Sequence, residues 1–322
     1  ISEQCHGFYY GVYRESEVGS MEWQETANYS LNRTKLAKKT VVRSLRRRMV
    51  KGIKETGYHL LLIPAAILMG FPFLWMVSAS LKSGSEVFSS TISLIPESWQ
   101  WHNYVTAWNS APFDIFFLNS LLMAVGVVVG QVITCSLAAY AFSLIHFKGK
   151  KLLFIIVLAS MMIPAEATII PAYLVVKELN WLDTYYGLIV PGMTSVFGIF
   201  IMRQFFLTMP KDYVEVAKLE GASHFKIYLT IGMPLAKPVL ATVCIFAFLN
   251  AYNSYMWPLL ITTEVEMRTL QIGLRYLIDP ELGTRWPELM AASTFVIFPV
   301  LLVFIFLQRY FIKGVMGSGI KQ

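Results

Sequence analysis

Long runs without Asp, Glu, Lys or Arg dominate this chain. Five windows, residues 59–81, 115–147, 185–202, 238–263 and 289–308, contain none of the four, and a sixth, 152–176, is interrupted only by Glu166. A helix needs about 20 mostly apolar residues to cross the hydrocarbon of a bilayer, so the pattern predicts six spanning helices. The window 115–147 exceeds that need, and its helix is expected to fill roughly residues 117–144. Prolines 64, 72, 164, 171, 191, 258 and 299 fall inside these runs. In a water-soluble helix each would cost about 3 kcal/mol. Membrane helices tolerate them because neighbouring groups satisfy the freed carbonyls.

Between the windows the basic residues alternate. Residues 33–54 hold ten of them, including Arg46, Arg47 and Arg48, and further groups lie at 148–151, 203–237 and 309–321. On the predicted topology, 22 of the 27 lysines and arginines fall on one side. Short cytoplasmic loops carry the excess of positive charge, so both termini are expected in the cytoplasm. Residues 1–57 read as a basic cytoplasmic arm and 58–322 as the membrane domain. The chain begins with Ile, Met21 offers an internal start, and the arm shows no secretory signal.

Composition agrees with a membrane solvent. The 322 residues are 56% hydrophobic and 15% charged, with a net charge of +7, against about 25% charged in soluble domains. Mean hydropathy is +0.54. The basic balance is then a topological signal facing anionic lipid, and a nucleic-acid partner is not expected. Cys5, Cys135 and Cys244 form no CxxC pair, so neither a disulfide framework nor a zinc site is supported. The five histidines are scattered without metal-ligand spacing.

One loop reads as a motif. Residues 210–234, between the fourth and fifth windows, are too long for a minimal turn. Asp212 is positioned to cap a helix with Val214, Ala217 and Leu219 near one face, and Gly221 to end it with a left-handed residue. Residues 225–231 begin a second segment. Two short helices meeting at a glycine form an elbow suited to docking a soluble partner.

The spacing Glu215, Ala217, Gly221, Ile231, Pro234 resembles the EAA signature of ATP-binding-cassette importer permeases. Val216 and Met233 replace the usual Ala and Leu. The segments 253–261, 290–292 and 308–321 are similar to carbohydrate-type permeases of the maltose-permease class, and the resemblance covers residues 58–321. It implies an all-α protein of the bacterial inner membrane, with six transmembrane helices. The elbow would be a coupling helix between helices 4 and 5, where Glu215, Ala217, Gly221, Ala222, Ile231 and Pro234 seat in a cytoplasmic ATPase. The implied partners are a second, homologous permease, two ATP-binding subunits and an extracytoplasmic solute-binding protein. The implied cargo is a sugar or oligosaccharide, with glycerol-3-phosphate or another polyol derivative as the alternative. The bland reading of the elbow is a solvated loop with a glycine cap.

Polar groups within spans mark possible cargo contacts. Glu166, placed in the outer third of the third span, is either a cargo or gate residue or a carboxylate at the outer interface. Asn250, Tyr252, Asn253, Tyr255 and Trp257 supply amides and amphipathic rings that suit sugar hydroxyls and C–H faces, or they serve the bundle itself. Asn119 and Gln131 are expected to hydrogen-bond between helices. The outer loop 264–288, rich in acidic residues and arginines, either meets the binding protein or is solvated. The sequence holds no GxxxxGK[ST], HExxH or GxSxG pattern. No cofactor is therefore expected in this chain, and ATP with Mg would be bound by the partner ATPase. An ion-coupled secondary transporter is the competing class.

Overall fold

The computed structural model describes residues 55, 57–89, 93–279 and 283–317. The chain divides into two compact units, Ile1–Pro72 and Phe73–Gln322. The arm expected over 1–57 lies outside the described residues, apart from positions 55 and 57. Apart from residue 55, the described part of the first unit belongs to α1 (Gly57–Ser80), an apolar helix with Leu60, Leu61, Ile67 and Leu68 exposed.

The second unit is built around α4 (Phe113–Leu144), a helix about 48 Å long at 1.5 Å per residue. It follows the short α2 (Gly84–Val87) and α3 (His102–Asn109). The helix starts at Phe113, four residues before the expected 117. Asp114 lies in its first turn, where a carboxylate favours the positive helix end, so this charge does not stop the helix.

Next come α5 (Lys150–Ala159), extended by a 3₁₀ turn to Met162, and α6 (Ala165–Glu178). The expected third span is not one straight helix. Its halves meet at 103°, because Ile163 and Pro164 are extended (ψ 119° and 139°) and Pro164 has no N–H to continue the ladder. The segments α7 (Tyr185–Ile189), with its turn Val190–Gly192, and α8 (Val196–Thr208) bend by 43° beside Pro191.

The elbow contains α9 (Lys211–Leu219), α10 (His224–Ile227), a π-helical turn (Tyr228–Gly232) and α11 (Met233–Leu235). An 80° bend leads into α12 (Lys237–Tyr252). The expected fifth span continues past a break at 253–255 as α13 (Met256–Ile261). The short α14 (Leu270–Gly273) and a two-residue β pairing, Ile278–Asp279 with Gly283–Thr284, precede α15 (Trp286–Gly317).

Among the described residues, three helices are long and apolar enough to cross a membrane, or up to six if each bent pair is one span. The long α4 packs chiefly against α8 and α12, and α12 also meets α15. Two apolar clusters occupy opposite ends of α4. Phe113, Phe116, Ala124 and Val127 join Phe248, Tyr252 and Ala291 at one end, and Cys135, Ala139 and Tyr140 join Met202, Phe206 and Tyr228 at the other. Close approach is set by glycines on α4. A Cβ at Gly130 would lie 2.4 Å from Met193 Cγ, and one at Gly126 would lie 2.8 Å from Ile189 Cδ1. Small residues at helix interfaces permit this packing.

Candidate functional site: the elbow and the cavity

The elbow begins at Pro210, which occupies the N-cap position of α9 with ψ 128°. Asp212 therefore does not cap the helix but lies in its first turn, where it complements the dipole. Val214 and Ala217 are 6% and 8% exposed and join the cluster around Tyr140 and Phe206, whereas Leu219 is 89% exposed. Leu219 does not share their face. Five residues at 100° each rotate it about 140° from Val214.

Gly221 (φ +80°) ends α9 as expected. Its N–H donates to Lys218 O (2.9 Å), and the N–H of Ala222 donates to Ala217 O (2.9 Å). These paired bonds are those of a Schellman cap. Its apolar component is Ala222 packing on the cluster that holds Ala217. Four of the expected coupling residues thus have distinct settings: Ala217, Gly221 and Ala222 build the corner, and Glu215 is exposed on the outside of α9. Ile231 packs against the same cluster from the π turn, and Pro234 is exposed in α11.

The second half of the elbow is fastened to the bundle. Ser223 Oγ accepts from Lys226 N (3.3 Å) to start α10. The Tyr228 hydroxyl meets Ser136 Oγ of α4 at 2.6 Å. Tyr140 of α4 packs edge-on against Phe206, Tyr228 and His224, and its hydroxyl lies 3.4 Å from His224 Nδ1. Desolvation, followed by the charges of Lys218 and His146, holds the His224 pKa below its ordinary value. The opposite surface is apolar and bare. Tyr213, Val216, Leu219 and Phe225 are all exposed, and the first three recur at i, i+3 and i+6 along one side of α9.

A second feature is a cavity of about 310 Å³ among α4, α6, α7, α12 and α13. Its lining includes Gln131, Thr168, Asn250, Ser254 and Trp257, with apolar Met123, Val127 and Leu188, and no charged residue among those described. Gln131 Nε2 donates to Gly192 O (2.9 Å), and Trp257 Nε1 donates to Gly187 O (3.1 Å). Asn250 forms no hydrogen bond among the described residues, so its amide is available to the cavity.

Of the residues singled out as cargo contacts, Asn250 and Trp257 come together here. Tyr252 turns away into the core, stacked on Phe248 at 5.3 Å with its hydroxyl unpartnered among the described residues. Asn253 accepts from Gln271 Nε2 (3.3 Å), and Tyr255 holds the N-cap position of α13. Glu166 is exposed in the first turn of α6, beside Ala165 of the cavity lining. The break at Pro164 thus makes Glu166 a helix-start residue rather than one within a continuous span.

Two further polar ties organise the loops around Asp183 and residues 263–268: one at Asn119, expected to hydrogen-bond between helices, and one at Asp183, which the sequence pattern did not single out. Asn119 Nδ2 donates to Glu266 O (2.7 Å) and Arg268 O (2.9 Å), while its Oδ1 accepts from Tyr185 (2.7 Å). The Asp183 carboxylate accepts from Thr263 N (2.7 Å), Thr263 Oγ1 (2.5 Å) and Glu264 N (2.9 Å). Partial burial alone would raise the Asp183 pKa. The three hydrogen bonds and the charge of Arg268 outweigh burial and hold it below its ordinary value.

Residues 126–317 match a family described as binding-protein-dependent transport system inner membrane component. The chain is 35% identical over 268 residues to the sn-glycerol-3-phosphate transport system permease protein UgpE of Yersinia pestis bv. Antiqua, covering 81% of this chain and 95% of that one. The protein of that name in Pectobacterium atrosepticum is 34% identical over the same shares. Its counterpart in Salmonella choleraesuis is 33% identical over 83% of this chain and 98% of the relative. Among solved structures, a bacterial ABC transporter involved in the import of the acidic polysaccharide alginate superposes with a TM-score of 0.71. There the identity is 25%, over 80% of this chain and 96% of the matched chain.

Proposed function

Because the chain belongs to the family of binding-protein-dependent transport system inner membrane components, we propose that its elbow docks on a cytoplasmic ATPase and that its cavity forms part of a carbohydrate path. The chain is a multi-pass inner-membrane permease subunit of an ABC importer, and it is a translocation subunit rather than an enzyme. The observation that carries the docking reading is the two-sidedness of the elbow. Val214, Ala217, Ile227 and Tyr228 fasten it inward, while Tyr213, Val216, Leu219 and Phe225 stand exposed outward. An exposed apolar patch marks an interaction surface. Nucleotide-driven movement of a bound ATPase would then pass through a stiff corner into α4 and α12, opening the bundle alternately to each side.

The finer topology is part of the same proposal. Each broken pair counts as one span, with α12 and α13 forming the fifth, so α1 and α15 complete a set of six in residues 58–322. Both termini and the basic arm 1–57 are cytoplasmic, which agrees with the distribution of Lys and Arg. A second permease faces the cavity, two ATPase copies bind ATP with Mg, and an external binding protein delivers solute to the loop 264–288. Asn250 and Trp257 offer an amide and a ring to the cargo, and the uncharged lining suits neutral hydroxyls. Glycerol-3-phosphate is the second reading, favoured by the names of the relatives.

Co-purification tests the docking. Tagged chain extracted from its native membranes is expected to retain an ATP-hydrolysing subunit, and Val216→Glu with Leu219→Glu to release it without loss of membrane insertion. Retention by the double variant overturns the docking face. Solute competition against uptake separates the two cargo readings, since a phosphate ester that competes better than neutral sugars would favour the second.

A further inference from the structure

A groove of about 990 Å³ runs between the start of α5 and Arg203 of α8. Three cations line it, Lys150, Lys151 and Arg203, and no carboxylate does. Its remaining wall is apolar: Phe154 is buried, and Phe147, Leu152 and Ile155 are exposed.

The cations come from two elements, the lysines from α5 and Arg203 from α8, and two of the three are held in place. Lys150 Nζ donates to Ser143 O (2.8 Å) and Ile145 O (2.9 Å). The Arg203 guanidinium lies over the Phe154 ring, 4.0 Å from its centroid, with Nε donating to Phe142 O (3.0 Å). The four N–H groups on Nη1 and Nη2 of Arg203 have no partner among the described residues, and Lys151 makes no hydrogen bond there. A fixed guanidinium with free donors is matched to a phosphate, which it can grip bidentately. The first turn of α5 adds the positive end of a helix dipole.

We propose that this groove binds the headgroup of an anionic phospholipid, with the acyl chains lying along Leu152 and Ile155. Charge complementarity and the continuous apolar wall select this occupant. A soluble acidic ligand would leave the exposed Leu152 and Ile155 uncovered, and an apolar protein surface would leave three cations unpaired. Basic pockets at the ends of membrane helices take lipid headgroups by this chemistry. The proposal rests on the membrane reading above, and on its orientation only for placing the groove in the inner leaflet.

Native mass spectrometry of the purified transport complex tests it, with phosphatidylglycerol or phosphatidylcholine supplied in the detergent. Wild type should retain phosphatidylglycerol in preference to phosphatidylcholine. Lys151→Gln should weaken retention about fivefold and Lys150→Gln with Arg203→Gln about 25-fold, the factors expected for about 1 kcal/mol per basic residue. Lys151 makes no hydrogen bond among the described residues, so its variant carries the test if the double variant does not fold. Equal retention of the two lipids, unchanged retention by Lys151→Gln, displacement by inorganic phosphate, or burial of the groove by another subunit in delipidated complex would each overturn the proposal. Lys148→Cys, labelled from one side of sealed vesicles, reads orientation separately. A reversed orientation therefore leaves the lipid result standing, and failed retention leaves the orientation standing.

Discussion

The hydroxyl of Tyr228 donates to Ser136 Oγ across 2.6 Å, joining the π turn of the elbow to α4. The direction follows from proton count: Ser136 spends its single proton on the carbonyls of Val132 and Ile133, so the shared proton belongs to the tyrosine. Tyr228→Phe removes this bond at little cost in volume, and a buried hydrogen bond contributes about 1 kcal/mol net. We expect a small drop in thermal stability in detergent but a clear loss of solute-stimulated ATP hydrolysis in the assembled importer. Adding Ser136→Ala to Tyr228→Phe should cost little more than the single change, since contacting residues are not additive. Fully additive losses would show that the pair does not act as a link.

Gly221 poses a purely conformational question. Its φ is +80°, yet a Cβ there would meet nothing within 4 Å. Alanine and serine should therefore cost the same, about 1–2 kcal/mol for a left-handed L-residue, and asparagine less. Proteolytic nicking at the elbow and retention of the ATPase subunit are the readouts. A steep dependence on side-chain size would instead reveal that a partner packs against this corner.

His224 makes the elbow sensitive to pH. Its folded-state pKa lies below the ordinary 6.5, so folding favours the neutral ring. The sign is that of a depressed base: stability is full above pH 6.5 and falls as the pH drops through the ordinary value toward the lower folded one. The groups facing it are Lys218, His146 and Tyr140, and none supplies a negative charge. The melting temperature should fall between pH 7.5 and 5.5, and His224→Asn should flatten that profile.

Asp183 behaves oppositely in range. Both Asn180 (φ 54°) and Asp183 (φ 51°) are left-handed, a conformation these two residue types tolerate best. The Asp183 carboxylate is then aimed at the N–H groups of Thr263 and Glu264. Its folded pKa is depressed below 3.8, so its contribution is complete above pH 4 and lost only as the pH falls further. Within pH 5–8 it is constant. Asp183→Asn should loosen the loop by about 1 kcal/mol, seen as faster hydrogen exchange at Thr263 and Glu264 with no change of pH profile in that range.

Much of this was legible in the residues, for identifiable reasons. Uncharged windows locate the membrane segments because transfer into hydrocarbon depends on composition, and Leu144 ends α4 where the pattern placed it. Direction does not follow from composition. The 103° turn at Pro164 needed the backbone, and it moved Glu166 from the outer third of a continuous span to a helix start. In the elbow, the left-handed Gly221 was readable because its requirement is local. The exposure of Tyr213, Val216 and Leu219 was also readable at their spacing of three, whereas grouping Leu219 with Val214 ignored the 100° step. The Tyr228 link joins residues 92 positions apart, and no local pattern announces such a pair.

Gly187 governs the cavity through Trp257. A Cβ at Gly187 would lie 2.4 Å from the Trp181 carbonyl oxygen and 3.3 Å from Val176 Cγ1. The first contact is with backbone and cannot be relieved by a rotamer change, so α7 itself must move. Overpacking of this kind costs about 1–3 kcal/mol. The same glycine's carbonyl accepts from Trp257 Nε1, which means that the displacement carries the indole with it. Gly187→Ala should therefore raise the KM for solute uptake several-fold while the distant elbow still holds its ATPase. Trp257→Phe, which deletes the N–H and leaves an aromatic face in the cavity, should have the milder effect. If Gly187→Ala inserts normally and uptake keeps its wild-type KM, Trp257 does not contact cargo, and the solute path must be sought elsewhere in the importer.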